Sequence, residues 1–93
     1  MINSVAFKKK HGIPVGEGLS LMEIARLSGF PRNALQEVYD RGIGAYKTNP
    51  ESVRPQVKSP EQWAMARVYS FVMKRKSTFG RADKDVAVRY RLV

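Results

Sequence analysis

Apolar and polar positions along the chain fall into three stretches with a helical repeat, separated by segments rich in Gly and Pro. Ser20 opens the first stretch, with Glu23 three residues later. That Ser-x-x-Glu spacing is a capping box, in which hydroxyl and carboxylate each satisfy a backbone N–H left open at a helix start. Leu21, Ile24, Ala25 and Leu27 then recur at helical spacing, and Gly29 can end the helix because it takes positive φ without steric cost. The pattern predicts a helix over 21–28. Pro31 suits the first turn of a second helix, where its missing N–H would have no intrahelical acceptor. Ala34, Leu35 and Val38 line one face, Tyr39 lies at its edge, and Arg32, Asn33, Gln36, Glu37 and Asp40 look outward. With Gly42 as the stop, the second helix is predicted over 31–41.

The third stretch is the most apolar. Ser59-Pro60-Glu61-Gln62 supplies an N-cap, a proline at the first helical position and a glutamine at the third. Apolar residues from Trp63 to Met73 cover most of the circumference. They predict a central core helix over 60–76, with Lys74, Arg75 and Lys76 at the electronegative end of its dipole. The flanks are less regular. Gly12, Pro14, Gly16 and Gly18 interrupt residues 1–19, which read as a loosely held basic arm and Gly/Pro loop. Residues 42–58 read as a long, ordered basic loop in which Asn49-Pro50-Glu51 can start a single turn. Ala82–Ala87 are expected as a short helix, with Asp83-Lys84-Asp85 suited to its start, and residues 89–93 as a basic tail. The fold class expected is all-α: one helical domain over 20–88, with Ile24, Leu35, Val38, Trp63 and Phe71 buried together.

Composition narrows the chemistry. A 93-residue chain has no room for a large catalytic cleft beside its core. It has no cysteine and one histidine, His11, so thiolate chemistry, Cys- or His-based metal centres and a Ser-His-Asp triad are excluded. Enzymatic chemistry would rest on carboxylates alone. Glu51 with Glu61 and Asp83 with Asp85 lack any further supporting residue. No enzyme, cofactor or metal is expected. No run approaches the ~18 apolar residues of a spanning helix, so a soluble, intracellular protein without a membrane partner is expected. Charge is the outlier: 17 Lys and Arg against 8 Asp and Glu give +9. A polyanion, and nucleic acid first, is the partner such a balance implies.

Residues 21–42, LMEIARLSGFPRNALQEVYDRG, resemble the helix-turn-helix of repressors and MerR-type regulators. Ala25 is small where the helices approach, Gly29 permits the turn, and Ile24, Phe30, Leu35 and Val38 fill the wedge between them. The resemblance implies a recognition helix whose outward residues Arg32, Asn33 and Gln36 meet base edges. Arg can bond guanine O6 and N7 together, and Asn and Gln can bond adenine N6 and N7. Pro31 departs from the Ser or Thr usual at that cap, and Glu37 and Asp40 put negative charge on the same helix.

Over most of its length the chain is also similar to a small uncharacterised basic family of phages and large DNA viruses. The likeness runs from Lys9-Lys10-His11-Gly12-Ile13-Pro14 through Arg41-Gly42-Ile43-Gly44-Ala45-Tyr46-Lys47 to Gln62-Trp63-Ala64-Met65-Ala66-Arg67. It implies a viral setting, and with it a second expectation: a small structural protein of the virus particle that contacts the genome or acidic capsid proteins. Phosphate contacts are expected from three groups of cations. Lys8, Lys9 and Lys10 lie on the arm, and Lys47, Arg54 and Lys58 on the loop. The densest group, Lys74, Arg75, Lys76, Arg81, Lys84, Arg89 and Arg91, belongs to the last third, which holds eight basic and three acidic residues. DNA is the expected polymer, with RNA as the alternative.

Overall fold

The computed structural model describes residues 2–48 and 59–93. Among the described residues, five α-helices and one π-helical turn follow in the order α1 (Asn3–Lys10), α2 (Leu21–Ser28), α3 (Arg32–Thr48), α4 (Pro60–Val72), the π turn (Thr78–Ala82) and α5 (Lys84–Arg89). The protein is an all-α domain, with no strand among the described residues.

The two capping motifs start their helices as the local chemistry requires. Glu23 N donates to Ser20 Oγ at 3.2 Å and Ser20 N donates to Glu23 Oε1 at 3.0 Å. Gln62 N donates to Ser59 Oγ at 3.1 Å, with Pro60 in the first turn. Gly29, at φ 80°, ends α2 and turns the chain into α3. Helices α3 and α4 share the largest interface and carry the core. Ile24, Leu35, Val38, Val68 and Phe71 are fully buried there, each removing apolar surface that contributes about 1.5–3 kcal/mol. Phe71 meets the Phe30 ring edge-on at 5.6 Å and the Phe79 ring at 5.2 Å.

Several expectations need correction. The N-terminal arm is not loose: residues 3–10 form α1, which inserts Phe7 into the core against Tyr69 at a ring separation of 5.6 Å. The second helix does not stop at Gly42 but runs on to Thr48, so the first part of the expected loop is helical. Gly42 is there because α4 crosses it: a Cβ would meet Ala64 Cα at 2.7 Å. Residues 49–58, with the turn expected at Asn49, lie outside the described residues.

At the other end, α4 stops at Val72 rather than Lys76. The expected short helix at 82–87 is displaced to Lys84–Arg89 behind the π turn, and Arg89 belongs to α5 rather than to a free tail. Tyr90 and Leu92 also pack against the core instead of trailing. Trp63 is only half-buried and lies outside the core cluster that holds Ile24, Leu35, Val38 and Phe71.

Candidate nucleic-acid interface

Helix α2, Gly29-Phe30-Pro31 and α3 form the helical pair that the motif anticipates. Arg32 and Asn33 are exposed on the first turn of α3, with no hydrogen bond or ion pair among the described residues. Gln36 is engaged: its Nε2 donates to Asp40 Oδ1 at 3.0 Å, one helical turn on. Arg26, exposed on the last turn of α2, is a further cation beside this pair, one not singled out from the sequence.

The basic residues divide by what they touch. Lys9 and Lys10 are exposed at the end of α1, whereas Lys8 Nζ donates to Val15 O at 3.1 Å. Lys47 is exposed on the last turn of α3, and Arg54 and Lys58 lie outside the described residues. Lys74, Arg75 and Lys76 are in the turn after α4, where Arg75 Nε donates to Asn3 Oδ1 at 2.7 Å and ties that turn to α1. Lys76, Arg81, Lys84 and Arg91 are exposed and without a carboxylate partner among the described residues.

Arg89, also expected on phosphate, is engaged by carboxylates instead of standing free. It donates to Glu37 Oε1 at 2.7 Å and to Asp85 Oδ2 at 3.3 Å, within a cluster that joins α3, α4 and α5. At the centre Asp83, fully buried, receives Arg67 through both oxygens at 2.8 Å and Arg41 at 3.3 Å. Arg41 also forks onto Asp85 at 2.8 and 2.6 Å and reaches Glu37 at 3.2 Å. These contacts hold the carboxyls of Asp85, through Arg41, and Glu37, through Arg89, below the usual range. Three guanidiniums and three carboxylates cancel here, so the whole +9 is carried by the rest of the chain.

One lysine from each of two basic runs far apart in sequence, Lys10 and Lys74, lines a cleft of about 340 Å³. Lys10 and His11 close α1 on one side, Lys74 follows α4 on the other, and Ser28 and Phe30 bring in the α2–α3 turn. Phe7, Leu27, Val72 and Met73 complete the lining. Both helix ends use the same termination, in which the two residues past the cap donate back to the last turn. At α1, Gly12 N reaches Lys9 O at 3.3 Å and Ile13 N reaches Lys8 O at 2.8 Å. At α4, Lys74 N reaches Phe71 O at 3.0 Å and Arg75 N reaches Ser70 O at 3.1 Å. This motif requires a left-handed residue, and glycine supplies it at α1 (Gly12, φ 69°). At α4 the same position is Lys74, at φ 56°, where a side chain costs about 1 kcal/mol. Nothing in the local sequence marks that conformation, so the cleft is not legible without the fold.

A family model matches residues 4–89. The chain belongs to DUF5824, a family of unknown function. The matched span takes in the helical pair, the ion-pair cluster and the cleft, which are thus features of a DUF5824 chain within the family's own boundaries. No curated protein and no solved structure matches the chain.

Proposed function

We propose that this protein binds nucleic acid, double-stranded DNA first, with α2 and α3 acting as a helix-turn-helix. The observation that carries the reading is the state of Arg32 and Asn33: exposed, without a partner among the described residues, and on the first turn of the second helix of the pair. Their side chains have the donor and acceptor geometry that reads guanine and adenine in a major groove. Lys9, Lys10, Lys74 and Lys76, exposed beside the cleft or near it, would meet phosphate. Binding to a random-sequence duplex pool at two salt concentrations tests the proposal. A selected consensus is expected, and retention of every sequence alike would overturn base reading.

One observation favours a second reading. Gln36 is bonded to Asp40 and Glu37 to Arg89, so the middle of α3 is occupied by internal contacts and negative charge. A protein that binds any polyanion through its lysines, such as a structural component of a virus particle holding the genome, needs no base-reading face. That reading also suits the likeness to viral proteins, and would place the chain in the infected cell or the particle. The same pool separates the two, because a packaging protein shows a steep salt dependence with no consensus.

A further inference from the structure

We infer that the cleft between the ends of α1 and α4 and the α2–α3 turn is a binding site for a small aromatic anion: one ring system carrying a phosphate or a carboxylate. Its volume, about 340 Å³, lies at the lower end of the range for small-molecule sites, which suits one or two fused rings and excludes a duplex or a folded peptide. The lining has the chemistry of such a ligand. Phe30 is partly exposed on the cleft lining and packs against Phe71 and, at 6.2 Å, Phe79, so it offers apolar contact from a side chain already held in place. Lys10, His11 and Lys74 stand around the same space as partners for the anion.

The two helix ends at this cleft would ordinarily present carbonyls and repel an anion. Here the carbonyls of Lys8, Lys9, Ser70 and Phe71 accept the terminating backbone bonds, which reduces that repulsion, and Lys10 and Lys74 add positive charge beside them. Lys74 is the decisive residue. It holds a conformation for which α1 uses glycine, with its ammonium 5.8 Å from the Phe79 ring centre and its side chain on the cleft. The left-handed backbone does not assign this role by itself, because Arg91 ends α5 in the same conformation away from the cleft, at φ 57°; Lys74 is singled out by its side chain on the cleft lining. The inference does not require that the protein bind duplex DNA.

The test uses the full chain and 1-naphthyl phosphate as the probe, followed by calorimetry and by amide shifts, with inorganic phosphate and 1-naphthol as its two halves. The expected result is that the probe shifts Lys10, Ser28, Phe30 and Lys74, and that each half alone binds at least about tenfold more weakly. Lys74→Gly should lose about tenfold in affinity while melting no lower than the parent, because it relieves the left-handed strain. Lys10→Ala, at an exposed position, should lose affinity in the same way. Equal binding of inorganic phosphate or naphthol, shifts away from the cleft, or full affinity in Lys74→Gly would overturn the inference. A competition arm identifies the source. Displacement by a short oligothymidylate assigns the ligand to an unstacked nucleotide of a strand, and persistence of the probe assigns it to a free aromatic phosphate or carboxylate. Duplex binding measured on Arg32→Ala reports separately on the helix-turn-helix.

Discussion

Gly42 and Gly44 lie two residues apart in one helix and have opposite physical meanings. A Cβ on Gly42 would meet Ala64 Cα at 2.7 Å and Cβ at 3.0 Å, whereas nothing lies within 4 Å of one on Gly44. Gly42→Ala should therefore destabilise by about 1–3 kcal/mol despite alanine's better helix propensity, because two packed backbones must separate. Gly44→Ala should instead stabilise by about 0.5–1 kcal/mol. Paired denaturant titrations check both; equal effects would mean that α3 and α4 do not cross at Gly42. In the sequence both residues look like helix breakers, which is why α3 is predicted too short. Leu35 is the opposite case. Its helical spacing marks it as core, it is fully buried, and Leu35→Ala should cost about 2–5 kcal/mol in the same titration. Trp63 shows the limit of that signal: an apolar run says which residues are hydrophobic, not which side of a helix faces its neighbour.

At the scale of elements, the starts of α2 and α4 are legible because their determinants are local: a hydroxyl, a carboxyl or amide, and a proline at fixed spacing. Helix α1 has no side-chain cap and one fully inserted residue, Phe7, so docking rather than local pattern forms it. The end of the domain is hidden for a related reason. Asp83 precedes α5 where a capping residue belongs, but the π turn delivers its carboxylate inward to Arg67 instead of to the helix N–H groups. Removing it strands a guanidinium whose side chain is only 16% exposed. Asp83→Ala should thus cost about 3–5 kcal/mol, measured by chemical denaturation. A loss comparable to that of Arg89→Ala, whose own side chain is exposed, would count against a buried pair. Acid should act on the same joint. Asp85 and Glu37 are held low in the folded state by Arg41 and Arg89 respectively, as Glu23 is by the Ser20 backbone N–H. Groups with depressed folded pKa values give their full stabilisation above the ordinary carboxylate range, about pH 4, and lose it as the pH falls further. The melting temperature should be flat from neutral pH to about 5 and drop below about 4, and added salt should reduce that drop. A melting temperature independent of pH across that window would show that the surface pairs do not contribute.

For the whole molecule, the structure separates cations by task, and that separation turns the proposed function into a quantitative comparison. Arg41, Arg67 and Arg89 are matched by carboxylates, whereas Arg32, Lys9 and Lys76 are exposed and have none among the described residues. The composition announces an excess of positive charge but does not say where it remains unmatched, because the pairing joins residues as distant as Glu37 and Arg89. Three classes of variant should follow if the helix-turn-helix reading holds. Arg32→Ala or Asn33→Ala should cost about 1–3 kcal/mol on a selected duplex and relax the preference at one base pair. Lys9→Ala or Lys76→Ala should weaken all duplexes alike and flatten the plot of log K against log salt by about 0.9 for each phosphate no longer neutralised. Arg89→Ala should leave the slope unchanged at pH 7, because a guanidinium held by Glu37 and Asp85 neutralises no phosphate, and should weaken all duplexes alike by baring Glu37. Fluorescence anisotropy on selected and scrambled duplexes at several salt concentrations measures all three. If Arg32 and Asn33 are replaceable without loss while the lysines set both affinity and slope, α2 and α3 are a fold element, and the protein holds its polyanion by charge without reading sequence.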